Sequence, residues 1–334
     1  MELLNDSIYR QEASQIYVDS LAEFESSNQL IGLKLEYYLS LGAVLNRENL
    51  ILIGPLGSGK TDIANLVLQK VGSNPDNTAD LNLGFGASRT SLTGSQIIAS
   101  EHGQEYIKKI FGSVTKKTKY LKIDELNRQN PDTLNGLLEA LGHTNKVNEN
   151  NQASFLIPGS SDRLILEDFR SVIATTNLTD RSDGTIKLGE PFLSRFDTGI
   201  HFKSKTNEMI NNLGRLMLPS YPLKPFDQAE KLVIEQAYLH MKHFQLNEQQ
   251  YTSLSSELKK LNDFWQKLIG QELSGRTIVK IAQKAQQLTY LNGNNEKENI
   301  NFPQYTNQQL AIITRVGALL TDPQTDKLKE ELNF

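Results

Sequence analysis

Leu50-Ile-Leu-Ile-Gly54-Pro-Leu-Gly-Ser-Gly-Lys60-Thr61 is the stretch that decides the fold. Four apolar residues run into a glycine-rich loop, and Asp62 to Lys70 then repeats apolar residues at helical spacing. The order is buried strand, loop, helix. The loop matches G-x-x-x-x-G-K-[ST] in the strand-to-helix setting that gives this pattern its meaning. Its glycines let backbone N–H groups converge on phosphate oxygens where side chains would block the approach. The helix starting near Lys60 turns the positive end of its dipole toward the same phosphates. Lys60 adds a point charge at the β and γ phosphates, and Thr61 offers a hydroxyl to Mg2+. Gly54, Pro55, Leu56, Gly57, Ser58, Gly59, Lys60 and Thr61 are therefore candidate phosphate-binding residues. The bland alternative is a glycine-rich turn before a helix, and the context argues against it.

Farther along, Tyr120-Leu-Lys-Ile-Asp124-Glu125 reads as a second core strand ending in two carboxylates. Asp124, delivered at the carboxyl end of a strand, suits a Mg2+ ligand acting with Thr61. Glu125 beside it is placed to orient and polarise an attacking water. An apolar run before Asp-Glu is common by itself. Downstream of a phosphate loop it becomes informative.

The whole chain sets the frame. Its 334 residues suggest two domains, or one with an appendage, and suffice for a substantial core. Hydrophobic residues at 38% and charged residues at 22% make a globular balance. The net charge of −4 weakens any case for a whole-chain polyanion binder, leaving only a local basic patch. The absence of cysteine removes disulfides, thiolate metal sites and cysteine nucleophiles. The first residues lack a signal-peptide pattern, and the longest apolar runs fall far short of the ~20 residues of a membrane helix. The expectation is a soluble cytoplasmic α/β protein without membrane contact.

Further elements follow from periodicity. Ile16, Tyr17, Leu21 and Phe24 suggest a short amphipathic helix, and Leu30 to Leu45 a buried one. A weak strand is expected near Leu81 to Phe85, and helices at Tyr106 to Phe111 and Pro131 to Leu141. His143 to Asp168 alternates like hairpin material, and Ser171 to Thr175 and Thr198 to Phe202 read as strands. After Lys203 helical patterns dominate, at Ala229 to Phe244, Gln249 to Ile269, Thr277 to Leu291 and Gln308 to Leu320. The expected division is an N-terminal helical extension at 1–28, an α/β nucleotide-binding domain at 29–205 and a helical lid at 206–334.

The run Asp124-Glu-Leu-Asn-Arg-Gln-Asn-Pro-Asp-Thr-Leu-Asn-Gly-Leu-Leu-Glu-Ala140 resembles the Walker B region of AAA+ ATPases of the MoxR-like, dynein-related branch. Ser88 to Ile97 is similar to the segment before that branch's helix-2 insertion. Ser171-Val-Ile-Ala-Thr-Thr-Asn177 resembles the sensor-1 strand, and Glu190-Pro-Phe-Leu-Ser-Arg-Phe-Asp197 the element carrying an arginine finger. Leu273-Ser-Gly-Arg276 is similar to a sensor-2 motif at a helix start. The likeness covers about residues 30–205 well and the lid loosely. It implies a P-loop NTPase of AAA+ type, a parallel sheet flanked by helices and followed by an α-helical lid. It implies ATP and Mg2+ as cofactors and a homo-oligomer, with a hexameric ring as the expected form. Catalytic roles fall to Lys60, Glu125 and Asn177 in one copy and to Arg195 from its neighbour, with Arg276 touching nucleotide. Relatives often act on a protein substrate or a von Willebrand factor A-type partner.

Some features depart from the branch. Leu178 stands where a proline often follows the sensor-1 Asn, and Asn177-Leu-Thr-Asp-Arg-Ser182 resembles methylcytosine-dependent restriction motors that use GTP. GTP is not excluded. A nucleic-acid-linked motor and a slow, nucleotide-gated scaffold therefore stand as alternatives, with nucleic acid not the favoured partner. No glutamate switch can be placed. The basic run Lys116, Lys117, Lys119 and Lys122 reads as a solvated loop before a nucleic-acid contact. Lys146, Phe155 and Arg163 are pore candidates, Arg128 has no derivable role, and His240 with His243 lacks an acidic partner for a metal.

Overall fold

The structure is a computed structural model. It describes residues 2–27, 30–81, 95–101, 104–110, 113–128, 134, 141, 153–156, 163–177, 188–212, 222–292 and 305–332. The strands are β1 (Leu50–Ile53), β2 (Thr78–Leu81), β3 (Ser95–Glu101), β4 (Gln104–Ile110), β5 (Tyr120–Ile123), β6 (Ala153–Leu156), β7 (Arg163–Leu166), β8 (Ser171–Thr176) and β9 (Thr198–His201). The helices are α1 (Glu2–Ser26), α2 (Lys34–Leu45), α3 (Lys60–Lys70), α4 (Glu190–Leu193), α5 (Thr206–Asn211), α6 (Gln228–Met241), α7 (Glu248–Ile269), α8 (Gly275–Leu291), α9 (Asn307–Val316) and α10 (Asp322–Glu331).

Five strands form one sheet in the order β2-β5-β8-β1-β9, and each neighbouring pair is parallel. Parallel strands are covered on both faces, which is why β1, β5 and β8 are buried at every residue. Alternation along β1 divides the core. Leu50 and Leu52 join a cluster with α1 to α3 and the C-terminal helices. Ile51 and Ile53 join the other, with Phe155, Phe192 and Phe196. The register sets the carboxyl ends side by side, Ile53 against Thr176 and Ile123 against Ala174. Gly54, Asp124 and Asn177 follow those strands directly and share one edge of the sheet.

The opposite edge is tied differently. Asp197 N–H donates to Asn49 O at 2.8 Å, so the residues before β9 meet those before β1. The C-terminal helices dock on β9. The two ring nitrogens of His201 lie 2.6 Å from Asp322 Oδ1 and 2.6 Å from Gly317 O. α1 is long, at 25 residues. Its Ala13, Tyr17, Leu21 and Phe24 are buried in the shared cluster. At one end Arg10 donates to Tyr290 O at 2.7 Å and to Thr289 O at 2.9 Å. At the other, Glu23 meets Lys70 Nζ at 2.5 Å.

Several expectations need correction. Tyr106 to Ile110 is not a helix: residues 104–110 are β4, antiparallel to β3 with Glu101 opposite Gln104, and Phe111 lies outside the described residues. In the sequence, a glycine at position 103 was the available cue for a chain reversal. A short apolar run with two lysines fits either period, so pairing decides. The strand expected at 81–85 is Thr78–Leu81, and 82–85 lie outside the described residues. The expected hairpin appears as β6 and β7. Of the 131–141 helix, only Leu134 and Leu141 are described, both helical and buried. α10 was not expected, although Thr321 and Gln324 form a capping box and Pro323 stands in its first turn. The N-terminal helix is longer than a short amphipathic segment because both its ends find partners.

Gly199 on β9 packs closely against the turn that follows α9. A Cβ there would lie 2.3 Å from Ala318 N. Gly199→Ala is expected to cost about 1–3 kcal/mol through overpacking against backbone, read as a lower thermal midpoint.

Candidate nucleotide site

The loop between β1 and α3 turns through glycines with left-handed backbone. Gly57 has φ 74° and Gly59 φ 90°, and Gly59 is the residue from which α3 starts. Gly54 is held closely as well, since a Cβ there would lie 2.5 Å from Phe202 O. A Cβ at Gly57 would meet nothing within 4 Å, so its side stays open to a ligand. Leu56 is largely exposed at the tip of this loop. Lys60 folds back inside it, with Nζ donating to Gly54 O at 2.8 Å and Pro55 O at 2.7 Å. Ser58 Oγ also donates to Pro55 O at 2.8 Å. Burial pulls the Lys60 ammonium below the ordinary lysine range, and Glu125 and Asp124 oppose that pull. A phosphate would offer this cation a better acceptor than neutral carbonyls.

Asp124 is held through both carboxylate oxygens. Thr61 Oγ1 and Thr175 Oγ1 each donate to Oδ1 at 3.1 Å, and Lys122 Nζ lies 3.2 Å from Oδ2. Lys122 also bonds Asp80 at 3.0 Å. Burial pushes the Lys122 ammonium down, but Asp80 and Asp124 outweigh it and raise the group above its usual value. A hydroxyl beside a fixed carboxylate is an all-oxygen donor pair, which fits Mg2+ with its preference for one or two carboxylates and phosphate oxygens.

Glu125 is strained. Its φ is 50°, a left-handed conformation that costs a non-glycine residue about 1–3 kcal/mol. Its N–H donates to Thr175 Oγ1 at 3.0 Å, its carbonyl accepts from Arg128 N–H at 2.8 Å, and its carboxylate meets the Arg128 guanidinium at 3.0 Å. Arg128, whose role the sequence left blank, thus grips the candidate base. Asn177 is buried at the same edge, and its carbonyl accepts from Asn127 Nδ2 at 2.7 Å. Lys60, Thr61, Asp124, Glu125 and Asn177 are therefore brought together. Thr175 and Lys122 were missed as site residues. A hydroxyl and an ammonium inside otherwise apolar strands were the available signals.

Arg195 lies at the other edge. It follows α4, and its carbonyl accepts from Asn49 Nδ2 at 3.5 Å. Arg276 begins α8, whose N-cap Ser274 accepts from Thr277 N–H. Later turns of α8 reach the same edge as Arg195. Lys280 bonds Asp197 at 2.6 Å and Lys284 bonds Glu48 at 2.7 Å. The structure thus draws the helix of Arg276 toward Arg195.

The remaining candidates sort differently. Phe155 is a core residue, which removes it from the pore candidates. Arg163 is exposed and donates to Ser154 Oγ at 2.9 Å, while Lys146 lies outside the described residues. The basic run is divided: Lys116 and Lys117 are exposed, Lys119 pairs with Asp168 at 2.8 Å, and Lys122 is buried. His240 stacks on Tyr9 with ring centroids 5.6 Å apart.

Residues 49–196 match the model of the AAA domain, dynein-related subfamily. These residues carry an AAA+ ATPase domain of the dynein-related type. Among solved structures, a candidate ATPase from Cytophaga hutchinsonii resembles it over 99% of this chain and 97% of that one. The TM-score is 0.63 and the identity 15%, a likeness of fold. No curated protein matches the sequence. The span matched to the AAA+ family contains every candidate site residue except Arg276. Lys60→Ala in this AAA+ ATPase should abolish binding of a fluorescent nucleotide. Glu125→Gln should keep that binding and lose steady-state phosphate release.

Proposed function

We propose that this AAA+ ATPase is a MoxR-like motor. It hydrolyses ATP at the seams of a homo-oligomeric ring, a hexamer, and uses the energy to remodel or activate a partner protein. The observation that supports the seam is the separation of the charged groups. The phosphate loop, Asp124, Glu125 and Asn177 follow the carboxyl ends of parallel strands, while Arg195 precedes β9 and is bonded to Asn49 at the amino end of β1. An arginine on a segment at that end stands apart from its own phosphate loop. In a ring it would serve the next copy's.

The backbone of Gly54 to Thr61 and the Lys60 ammonium would hold the triphosphate. Thr61 and Asp124 would hold Mg2+, which supplies charge neutralisation on the phosphates. Glu125 orients the attacking water and takes its proton, and Asn177 hydrogen-bonds the same water. Arg195 from the neighbour offsets charge developing on the transferred group, worth about 10³-fold or more in comparable systems. Arg276, at the start of a lid helix, would reach the phosphates from the lid and couple lid angle to nucleotide state. The working division is an extension at 1–28, a nucleotide domain at 29–205 and a lid at 206–334, with lid rotation as the output.

A partner of von Willebrand factor A type follows from the family resemblance and is tested by co-purification. The internal pairing of Lys119 and Lys122 leaves little of the basic run for nucleic acid. ATP is the expected substrate over GTP, and neither DNA nor RNA should stimulate turnover.

The decisive experiment mixes two inactive variants. Glu125→Gln has a dead site and an intact arginine, and Arg195→Ala has the reverse. Their mixture should recover part of the wild-type rate, and the wild-type rate per subunit should rise with protein concentration. A mixture as inactive as its components, with a rate independent of concentration, would overturn the seam.

A further inference from the structure

The tetrapeptide Ser194 to Asp197 is gripped at every residue by groups from outside it. Arg315, on α9, donates through one guanidinium nitrogen to Phe196 O and through the other to Ser194 O at 3.2 Å. Asn49 Nδ2 donates to Arg195 O at 3.5 Å. Lys280, on α8, donates to Asp197 Oδ1 at 2.6 Å, and Asn49 N–H donates to Oδ2 of the same carboxylate at 3.1 Å. Phe192 and Phe196 anchor the segment from below, with ring centroids 5.8 Å apart in the core.

Arg315 is 4% exposed. Burying a guanidinium is costly, and a fold that only needed to cap two carbonyls could do so with neutral groups. The planar fork spans two carbonyls two residues apart, which fixes the orientation of the peptide between them as well as its position. That peptide carries Arg195. The two C-terminal helices that supply Arg315 and Lys280 thus define where the arginine stands.

We propose that Arg315, assisted by Lys280, is a positioning residue that aims Arg195 at the nucleotide of the adjoining subunit. This rests on the reading of Arg195 as a residue acting in trans. The C-terminal helices then do more than cover nucleotide: their docking state sets whether a copy can complete its neighbour's site. Displacing a reacting group by about 1 Å can cost about 100-fold in rate.

The test uses the full chain with Arg315→Met and, separately, Lys280→Met. For Arg315→Met, kcat for ATP should fall by about 100-fold while KM stays within about twofold, because the variant's own phosphate loop is untouched. Adding Glu125→Gln subunits, whose arginine segment is intact, should restore part of the rate. Arg195→Ala combined with Arg315→Met should be no slower than Arg195→Ala alone, since both changes act through one side chain. A folded Arg315→Met with wild-type kcat overturns the proposal. So does a double variant slower than Arg195→Ala, or a failed rescue where Arg195→Ala is rescued. If Arg195→Ala is itself not rescued by Glu125→Gln, the trans reading falls and the proposal with it. Should Arg315→Met fail to fold by circular dichroism, Lys280→Met decides by the same kcat, rescue and double-variant criteria.

Discussion

All five strands of the central sheet run the same way, and this polarity governs the rest of the molecule. A parallel sheet has two unlike ends. At the carboxyl ends of three of them the chain exits through a candidate site residue: Gly54 after β1, Asp124 after β5, Asn177 after β8. The strand order places β8 between β5 and β1, so the three exits are adjacent. No loop has to travel to assemble the site. The amino ends are knitted instead by Glu48, Asn49, Asp197 and the lysines of α8. One end is built to receive a ligand, and the other to hold a segment still.

The site itself is a small network of mutual restraint. Thr175 bonds both the Asp124 carboxylate and the Glu125 backbone, so one hydroxyl sets two adjacent carboxylate-bearing residues. Lys122 and Thr61 approach Asp124 through different oxygens. Glu125 sits in a left-handed conformation with its carboxylate on Arg128. Such strain persists only where neighbours over-determine it, and it marks places where geometry matters more than local stability.

What the sequence made legible was the part encoded in contiguous residues. The phosphate loop between an apolar strand and an amphipathic helix, and the strand ending at Asp124-Glu125, carry their meaning in spacing. So does the hairpin formed by β6 and β7. What escaped was of two kinds. The residues of β4 fit more than one period, and their antiparallel partner decided the matter. Thr175, Lys122 and Arg315 act through contacts with residues 51, 42 and 119 positions away, and a polar group in an apolar run marks the first two without naming their partners. Phe155 shows the converse: an aromatic in a hairpin suggested a pore, and packing put it in the core.

α1 reaches farther than its place at the start of the chain suggests. It crosses from Lys70 and the Lys224 amide, both held by Glu23, to the end of α8, where Asp6 accepts from Tyr290 and Arg10 caps two carbonyls. A strut pinned at both ends leaves no slack between the parts it joins. Any swing of α8 against the sheet must therefore either carry the strut along or unpin it. The first turns of this chain thereby couple any such swing to the sheet.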